Sequence, residues 1–311
     1  MAVERDPMQL EWVKSTPTPA DDERHMPGPE SLPLYNESYY FPIYDPKQEI
    51  GVVFRFGMLA NQKQANIYLF ITHRSVVVHS YYEKLAPFPP MKPRHMEAGG
   101  LSVEIEKPLE RFRLRYRSGS TGFDLTWRGT SPPYMFPRPA GATFEEAMAH
   151  IEQGALVTGT VTIGGVPYKI DGLGHRDKSW GHERDWAKYY GWTYLSGEFG
   201  PDFWFNASRF ELTPGNPVFV GCLWDGKELS WASDIVMDTK TTDGGARQLG
   251  VEVSFKDERG RQYHIIGEKP MVTGIFQFDK TILRDGISLF RMGDRVGYGI
   301  IEYGYVEDLK R

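Results

Sequence analysis

The segment from Asp171 to Trp186, DGLGHRDKSWGHERDW, concentrates the groups in this chain that can move protons. Asp171, His175, Asp177, His182, Glu183 and Asp185 stand among Arg176, Lys178 and Arg184, with indoles at Trp180 and Trp186. A solvated turn would be built from Ser, Asn and Pro; large charges of both signs beside indoles suggest an organised polar network. A carboxylic acid desolvated in a pocket keeps its proton near neutral pH and can donate it to an alkene. Asp177 is the expected acid, with His175 to orient it or activate a water and Asp171 as a further carboxylate. Trp180, Trp186, Tyr190 and Trp192 offer ring faces to a developing cation. Arg176 and Arg184 are expected to contact substrate. They also offer the opposite outcome: an arginine beside Asp177 lowers its pKa and makes the segment a structural clasp.

Period-two geometry sorts the first part of the segment if it is extended. Asp171, Leu173, His175, Asp177 and Ser179 then share one face, and Arg176, Lys178 and Trp180 the other. A bulge at Gly172 or Gly174 would reverse this. His175 and His182 are seven apart, which fits neither the i, i+4 spacing of a helical metal pair nor His-x-His on a strand, so no metal is expected.

The elements that must position these residues read as strands. GVVFRFGML, NIYLFITH, SVVVHSYY, LSVEIEKP, RFRLRYRS and GFDLTWRG precede the segment. YYGWTYLSG, FWFNASRFEL, VFVGCLW, ELSWASDIVM, VEVSFKD, QYHIIGE, VTGIFQF, ISLFRM and GYGIIEYGY follow it. Gly164-Gly165 and Asp225-Gly226 mark hairpins. In RFRLRYRS, Arg111, Arg113, Arg115 and Arg117 form a solvated face above Phe112, Leu114 and Tyr116. One short helix is expected in TFEEAMAHIEQ, where Thr143 and Glu146 have capping-box spacing. The pattern is all-β, in barrels or sandwiches. The expected organisation is an irregular Pro-rich arm over 1–45, one β lobe over 46–150, and a second over 151–311 carrying the motif, with the helix near their junction.

Composition narrows the partners. The net charge of -5 lacks the basic face that nucleic acid requires. The single cysteine, Cys222, excludes an intrachain disulfide and sits in an apolar run as a core thiol. No apolar run approaches the roughly 18 residues of a membrane helix, and the N-terminus has no signal-peptide pattern, so the expected location is the cytoplasm. Phosphate loops, dinucleotide fingerprints and G-x-S-x-G elbows are absent, so no cofactor is implied. Aromatic residues are 14% of the chain. That content suits both a β core and the wall of a pocket for an apolar small molecule. Oligomeric state is not legible.

The string G-x-G-H-R-D-K-S-W-G resembles the G-Y-H-D-H-N-W-G signature of the AttH-like and hydroxyneurosporene-synthase-like proteins, which include carotenoid hydratases and lipocalin-like Diels–Alderases. Gly174, Asp177, Trp180 and Gly181 match; His175, Arg176, Lys178 and Ser179 depart from the pattern. The resemblance implies two lipocalin-like antiparallel β-barrel lobes side by side, an apolar ligand pocket, and Asp177 as the acid. It points to a cofactor-independent hydratase, isomerase or cyclase for an isoprenoid or other lipophile. A non-catalytic lipophile carrier and a pericyclase-like enzyme that folds a polyene are the alternatives.

Overall fold

The computed structural model describes residues 12–25, 31–87, 91–139, 148–183, 189–242, 247–278 and 280–306. Two large antiparallel sheets dominate it. The first has eleven strands. It runs from Val76–Leu85 through Gln64–His73, Ile50–Leu59, Tyr35–Asp45, Val166–Glu183, Ala149–Ile163, Thr121–Gly129, Arg111–Ser118 and Leu101–Lys107 to His95–Ala98, with Tyr134–Met135 also on Ala149–Ile163. The sheet rolls until its ends meet, and His79 Nε2 and the Tyr116 hydroxyl lie 2.9 Å apart across the closure. Its interior is aromatic, with Phe41, Phe54, Phe112 and Trp127 all fully buried. The alternation of RFRLRYRS places Phe112, Leu114 and Tyr116 in this core and the arginines outside it.

The second sheet has ten strands. It is ordered Leu229–Trp231, Pro217–Trp224, Trp204–Glu211, Gly191–Glu198, Arg295–Val306, Thr281–Met292, Gln262–Gly267, Arg247–Lys256 and Ser233–Thr242, with Val272–Phe278 also on Thr281–Met292. It encloses Phe205, Leu223, Val253, Phe255, Ile265 and Phe290. The architecture is the expected all-β pair of lipocalin-like lobes. A third cluster joins them, with Tyr40, Val53, Tyr68 and Phe70 meeting Trp192, Tyr194, Phe276 and Ile287. Among the described residues no helix is long and apolar enough to cross a membrane.

Strand pairing runs across the boundaries expected at 45 and 150. Tyr35–Asp45 lies at the middle of the first sheet despite Pro42, and Ala149–Ile163 and Val166–Glu183 pair with each other in that same sheet. The motif strand therefore belongs to the first lobe, and the chain passes to the second sheet only after Glu183. The helix reading over Thr143–Gln153 is corrected from Ala149 onward, where the chain is strand; residues 140–147 lie outside the described set. The apolar residues that suggested a helical face also fit period two. Ala149 and Ile151 pack with Met135 and Trp180, while His150 and Glu152 point the other way. The described residues hold one short α-helix, Pro19–Asp22. Gly164 and Gly165 turn the hairpin with φ of +57° and +86°.

The even-numbered face of the motif strand looks into the first lobe. Arg176 is fully buried, with its guanidinium 4.5 Å from the Phe112 ring centroid and 5.3 Å from that of Trp127. Its Nη1 donates to Asp22 Oδ1 at 2.6 Å and its Nε to Gln153 Oε1 at 2.9 Å. Lys178, also buried, donates to the carbonyls of Asp21 and Glu23 and pairs with Glu37 at 3.1 Å. Burial lowers its pKa, against the pull of Glu37 and Asp22. Its ammonium lies 4.6 Å from the Trp180 ring centroid. The segment around the short helix thus plugs the barrel and is held there by two cations of the motif. Replacing Arg176 by Met would leave Asp22 buried without its counter-charge. The expected loss is about 3–5 kcal/mol of unfolding free energy. Chemical denaturation checks this, and a loss below about 1 kcal/mol would contradict the clasp.

Candidate functional site

Strand register aligns polar side chains into two transverse rows. On the first sheet the row reads Tyr134, Glu152, Asp177, Tyr40, Arg55 and Tyr68, each paired with the next across neighbouring strands. On the second sheet it reads Ser208, Tyr194, Glu302 and Asp285. The rows meet between the lobes. The Tyr194 hydroxyl donates to Glu152 Oε2 at 3.0 Å, and the Tyr40 and Tyr194 rings meet edge to face at 6.2 Å. Directly opposed residues on antiparallel strands bring their Cβ atoms to about 4.5–5.5 Å, so each row is a contiguous line of functional groups.

A cavity of about 450 Å³ opens on these rows, lined by Asp177, Tyr40, Tyr68 and Arg55 from one lobe and by Trp192 and Glu302 from the other. The Trp192 indole lies across Gly304, where a Cβ would stand 2.1 Å from the ring, and its Nε1 donates to Glu302. Burial pushes the Glu302 carboxyl up to about 7, and the Asp177 charge adds to this against Trp192, Asp285 and Arg55. Asp285, directly opposite Glu302 on the next strand, is fully buried and raised well above the carboxylate range by that burial and by Glu302. The Glu302 and Tyr68 side chains both reach the Asp285 carboxyl. Two carboxyls so placed are held together by sharing a proton.

Behind the cavity runs a buried chain of alternating base and acid. His150 Nε2 lies 2.6 Å from Glu152 Oε1, Glu152 Oε2 lies 2.6 Å from His175 Nε2, and His175 Nδ1 lies 2.6 Å from Glu198 Oε1. Burial disfavours charge on Glu152, His175 and Glu198, yet the two histidines hold Glu152 below its usual pKa. The two carboxylates lift His175 to about 9 against the same burial. Glu198 goes up to about 7, because desolvation outweighs its bond to His175. Gly154, paired with His175, makes room for this chain: a Cβ there would stand 2.3 Å from Glu198 Oε2 and 2.4 Å from the Trp204 ring.

The expected facing of the motif holds. His175 and Asp177 point between the lobes while Arg176, Lys178 and Trp180 point into the barrel. Asp177 lines the cavity, and His175 engages Glu152 and Glu198. Asp171 lies apart from both, 69% exposed and paired with Lys47 at 3.0 Å. Of the aromatic residues, Trp192 lines the cavity; Trp180 stacks on His25 at 4.6 Å within the first lobe, and Tyr190 sits half-buried with its amide bonded to Glu211. Arg184 and Trp186 lie outside the described residues. Among the described residues one group has metal-ligand types within 4.8 Å of one another, namely His150, Glu152 and Asp177. Glu152, Tyr194, Glu198, Asp285 and Glu302 are the groups that the motif does not announce. Their signal in sequence is an acidic residue inside an apolar strand, as in AHIEQG, ILRDGIS and GIIEYGY, because such a residue is rarely buried without a partner or a task.

Over residues 18–306 the sequence matches the family model described as Domain of unknown function (DUF7064). The chain belongs to that family. Solved structures resemble this DUF7064 chain along most of its length. A protein assigned as AttH from Nitrosomonas europaea superposes with a TM-score of 0.65 at 13% identity, covering 90% of this chain and 96% of that one. Kievitone hydratase from Nectria haematococca gives 0.60 at 16% identity, covering 90% and 92%. CghA gives 0.63 at 11% identity, covering 96% and 99%. The AttH-like resemblance read from the motif is thus borne out as a likeness of fold. No curated protein sequence matches.

Above the ordinary carboxylate range, where Glu152 is already ionised, the buried chain makes stability fall as pH rises. Glu198 and His175 both bind protons more tightly folded than unfolded, so their contribution is fully present at low pH and falls as pH rises. The windows are 4.5 to about 7 for Glu198 and 6.5 to about 9 for His175. The His175 contribution is at most about 3 kcal/mol. Tm should fall between pH 6 and 9, and His175→Gln should flatten that fall. A wild-type Tm that rises over this range would contradict the charge assignment.

Proposed function

We propose that this DUF7064 protein is a cofactor-independent enzyme of hydratase, isomerase or cyclase type, acting on a lipophilic small molecule in the cavity between its lobes. The observation that carries this reading is a carboxyl pair on opposite walls of that cavity, Asp177 and Glu302, with Asp285 buried directly behind Glu302. Glu302 and Asp285 are pushed toward the neutral acid, and the Asp177 charge across the cavity adds to that push. Carboxyls whose surroundings drive their pKa values apart divide the roles of acid and base.

In this reading Glu302 donates its proton to an alkene or enol carbon of the substrate. The motif assigned that role to Asp177, but Glu302 is the cavity carboxyl raised toward neutrality. The faces of Trp192, Tyr40 and Tyr68 stabilise the positive charge that develops. Asp177, on the opposite wall, takes a proton in return. Drawn from a water that attacks the cation, it completes a hydration; drawn from the neighbouring carbon, an isomerisation. Attack by a second alkene of the same molecule gives a cyclisation. The proton taken by Asp177 then returns through water in the cavity to the Glu302–Asp285 pair, which restores the acid. No redox step or external group is needed, since every proton comes from a side chain or from water. Support for a lipophilic substrate comes from the aromatic walls and from the fold shared with kievitone hydratase and with CghA, which is also known in a structure with Sch210972.

The test starts from small molecules extracted with the purified protein and identified by mass spectrometry, then assayed for turnover. Glu302→Gln and Asp177→Asn are each expected to lower kcat at least about 100-fold, the usual contribution of a positioned acid or base. Binding of the same molecule should change less than threefold. Turnover retained in both variants would overturn the assignment. A bound lipophile that wild-type protein never converts would favour a carrier.

A further inference from the structure

A second cavity, of about 600 Å³, lies on the other side of the polar rows, against Glu152 and Tyr194 rather than Asp177 and Glu302. Its walls are apolar and come from both lobes: Phe136 and Met148 from one, Phe210, Val220 and Trp231 from the other. The edge of the His150 ring meets Phe136 at 5.2 Å, and Phe136 meets Trp231 at 5.8 Å, so the aromatic wall is continuous. Val218 beside it is 58% exposed. Lys14 and Glu258 form an ion pair among the residues around the cavity. An apolar space of this size falls within the range of drug-sized ligand sites.

The polar groups at its inner end define what it would take. Asn206, Ser208 and Phe210 share one face of their strand and line the cavity. Asn206 is fully buried. Its Nδ2 donates to the Leu195 carbonyl at 3.0 Å, which fixes the orientation of the amide. Its Oδ1 has no partner. A buried acceptor left unpaired costs about 1–3 kcal/mol, and a ligand that supplies a donor recovers that cost. The neighbouring His150–Glu152 pair already has Nε2 committed to the carboxylate, so it shapes the wall without competing for that donor.

We infer that the second cavity is a separate binding site for a neutral, largely apolar molecule that carries one O–H or N–H donor, directed to Asn206 Oδ1. The site does not depend on the acid–base reading of the Asp177–Glu302 cavity. It supplies the lobe interface with a second ligand of its own.

N-phenyl-1-naphthylamine is a suitable probe, being apolar, neutral and equipped with one N–H. Fluorescence titration of the full-length protein is expected to show saturable binding. Val220→Trp, which fills the cavity from one wall, should weaken it at least tenfold. Leu283→Trp, which narrows the other cavity, should change it less than twofold. Asn206→Leu should weaken the amine probe at least threefold but leave its N-methyl derivative within twofold of wild type. Absence of saturable binding in wild-type protein would overturn the proposal. So would Val220→Trp binding like wild type, or Leu283→Trp losing as much affinity as Val220→Trp. Equal effects of Asn206→Leu on both probes would overturn the donor assignment. Failure of Glu302→Gln to affect turnover, by contrast, bears only on the other cavity.

Discussion

Everything described depends on the period-two register of one strand, Val166–Glu183. It is paired on both sides, by Ala149–Ile163 and by Tyr35–Asp45. Successive residues therefore look into two different interiors. Arg176 and Lys178 face a barrel core and are satisfied by the plug around Asp22; His175 and Asp177 face the space between the lobes. A slip of one residue would exchange these sets, placing cations in the cavity and carboxylates against Phe112 and Trp127. The charges that look like one cluster in sequence are two systems back to back. One is a clasp inside the barrel and the other lines the space between the lobes, and the sheet separates them.

The same geometry explains why carboxyls of one site hold their protons so differently. All are removed from water, which disfavours charge on each. Glu152 escapes because two imidazoles reach it. Asp285 and Glu302 have each other instead, together with the Asp177 charge, and move toward the neutral form. Arg176 and Lys178 are on the far face of the sheet, and Arg55 in the cavity wall offsets only part of the shift. Segregation of charge by strand register thus shapes the protonation states on which the proposed acid–base chemistry depends.

Much of the fold was legible, because alternation and Gly-Gly or Asp-Gly turns carry strand information locally. RFRLRYRS and the Gly164-Gly165 hairpin lie where their patterns place them. The facing of His175, Arg176, Asp177 and Lys178 followed from period two alone, since neither Gly172 nor Gly174 introduces a bulge. The helical reading from Thr143 failed past Ala149 because a short apolar pattern fits both periods, and pairing with Thr121–Gly129 and the motif strand decided it. The partners of the motif were not legible. Glu152, Tyr194, Glu198, Asp285 and Glu302 sit on four other strands, and only long-range register brings them to one place. A single acidic residue within an apolar strand is a local mark of burial, but it does not name its neighbour.

The claim at the centre of this account is that Glu302 stands near the balance point between acid and anion at neutral pH. The most direct measurement is the carboxyl titration itself, by carbon-13 NMR of protein labelled at the glutamate side-chain carbon, with the signal assigned by its loss in Glu302→Gln. The account predicts a midpoint of about 7 for that signal. A midpoint in the ordinary glutamate range, near 4.3, would contradict it.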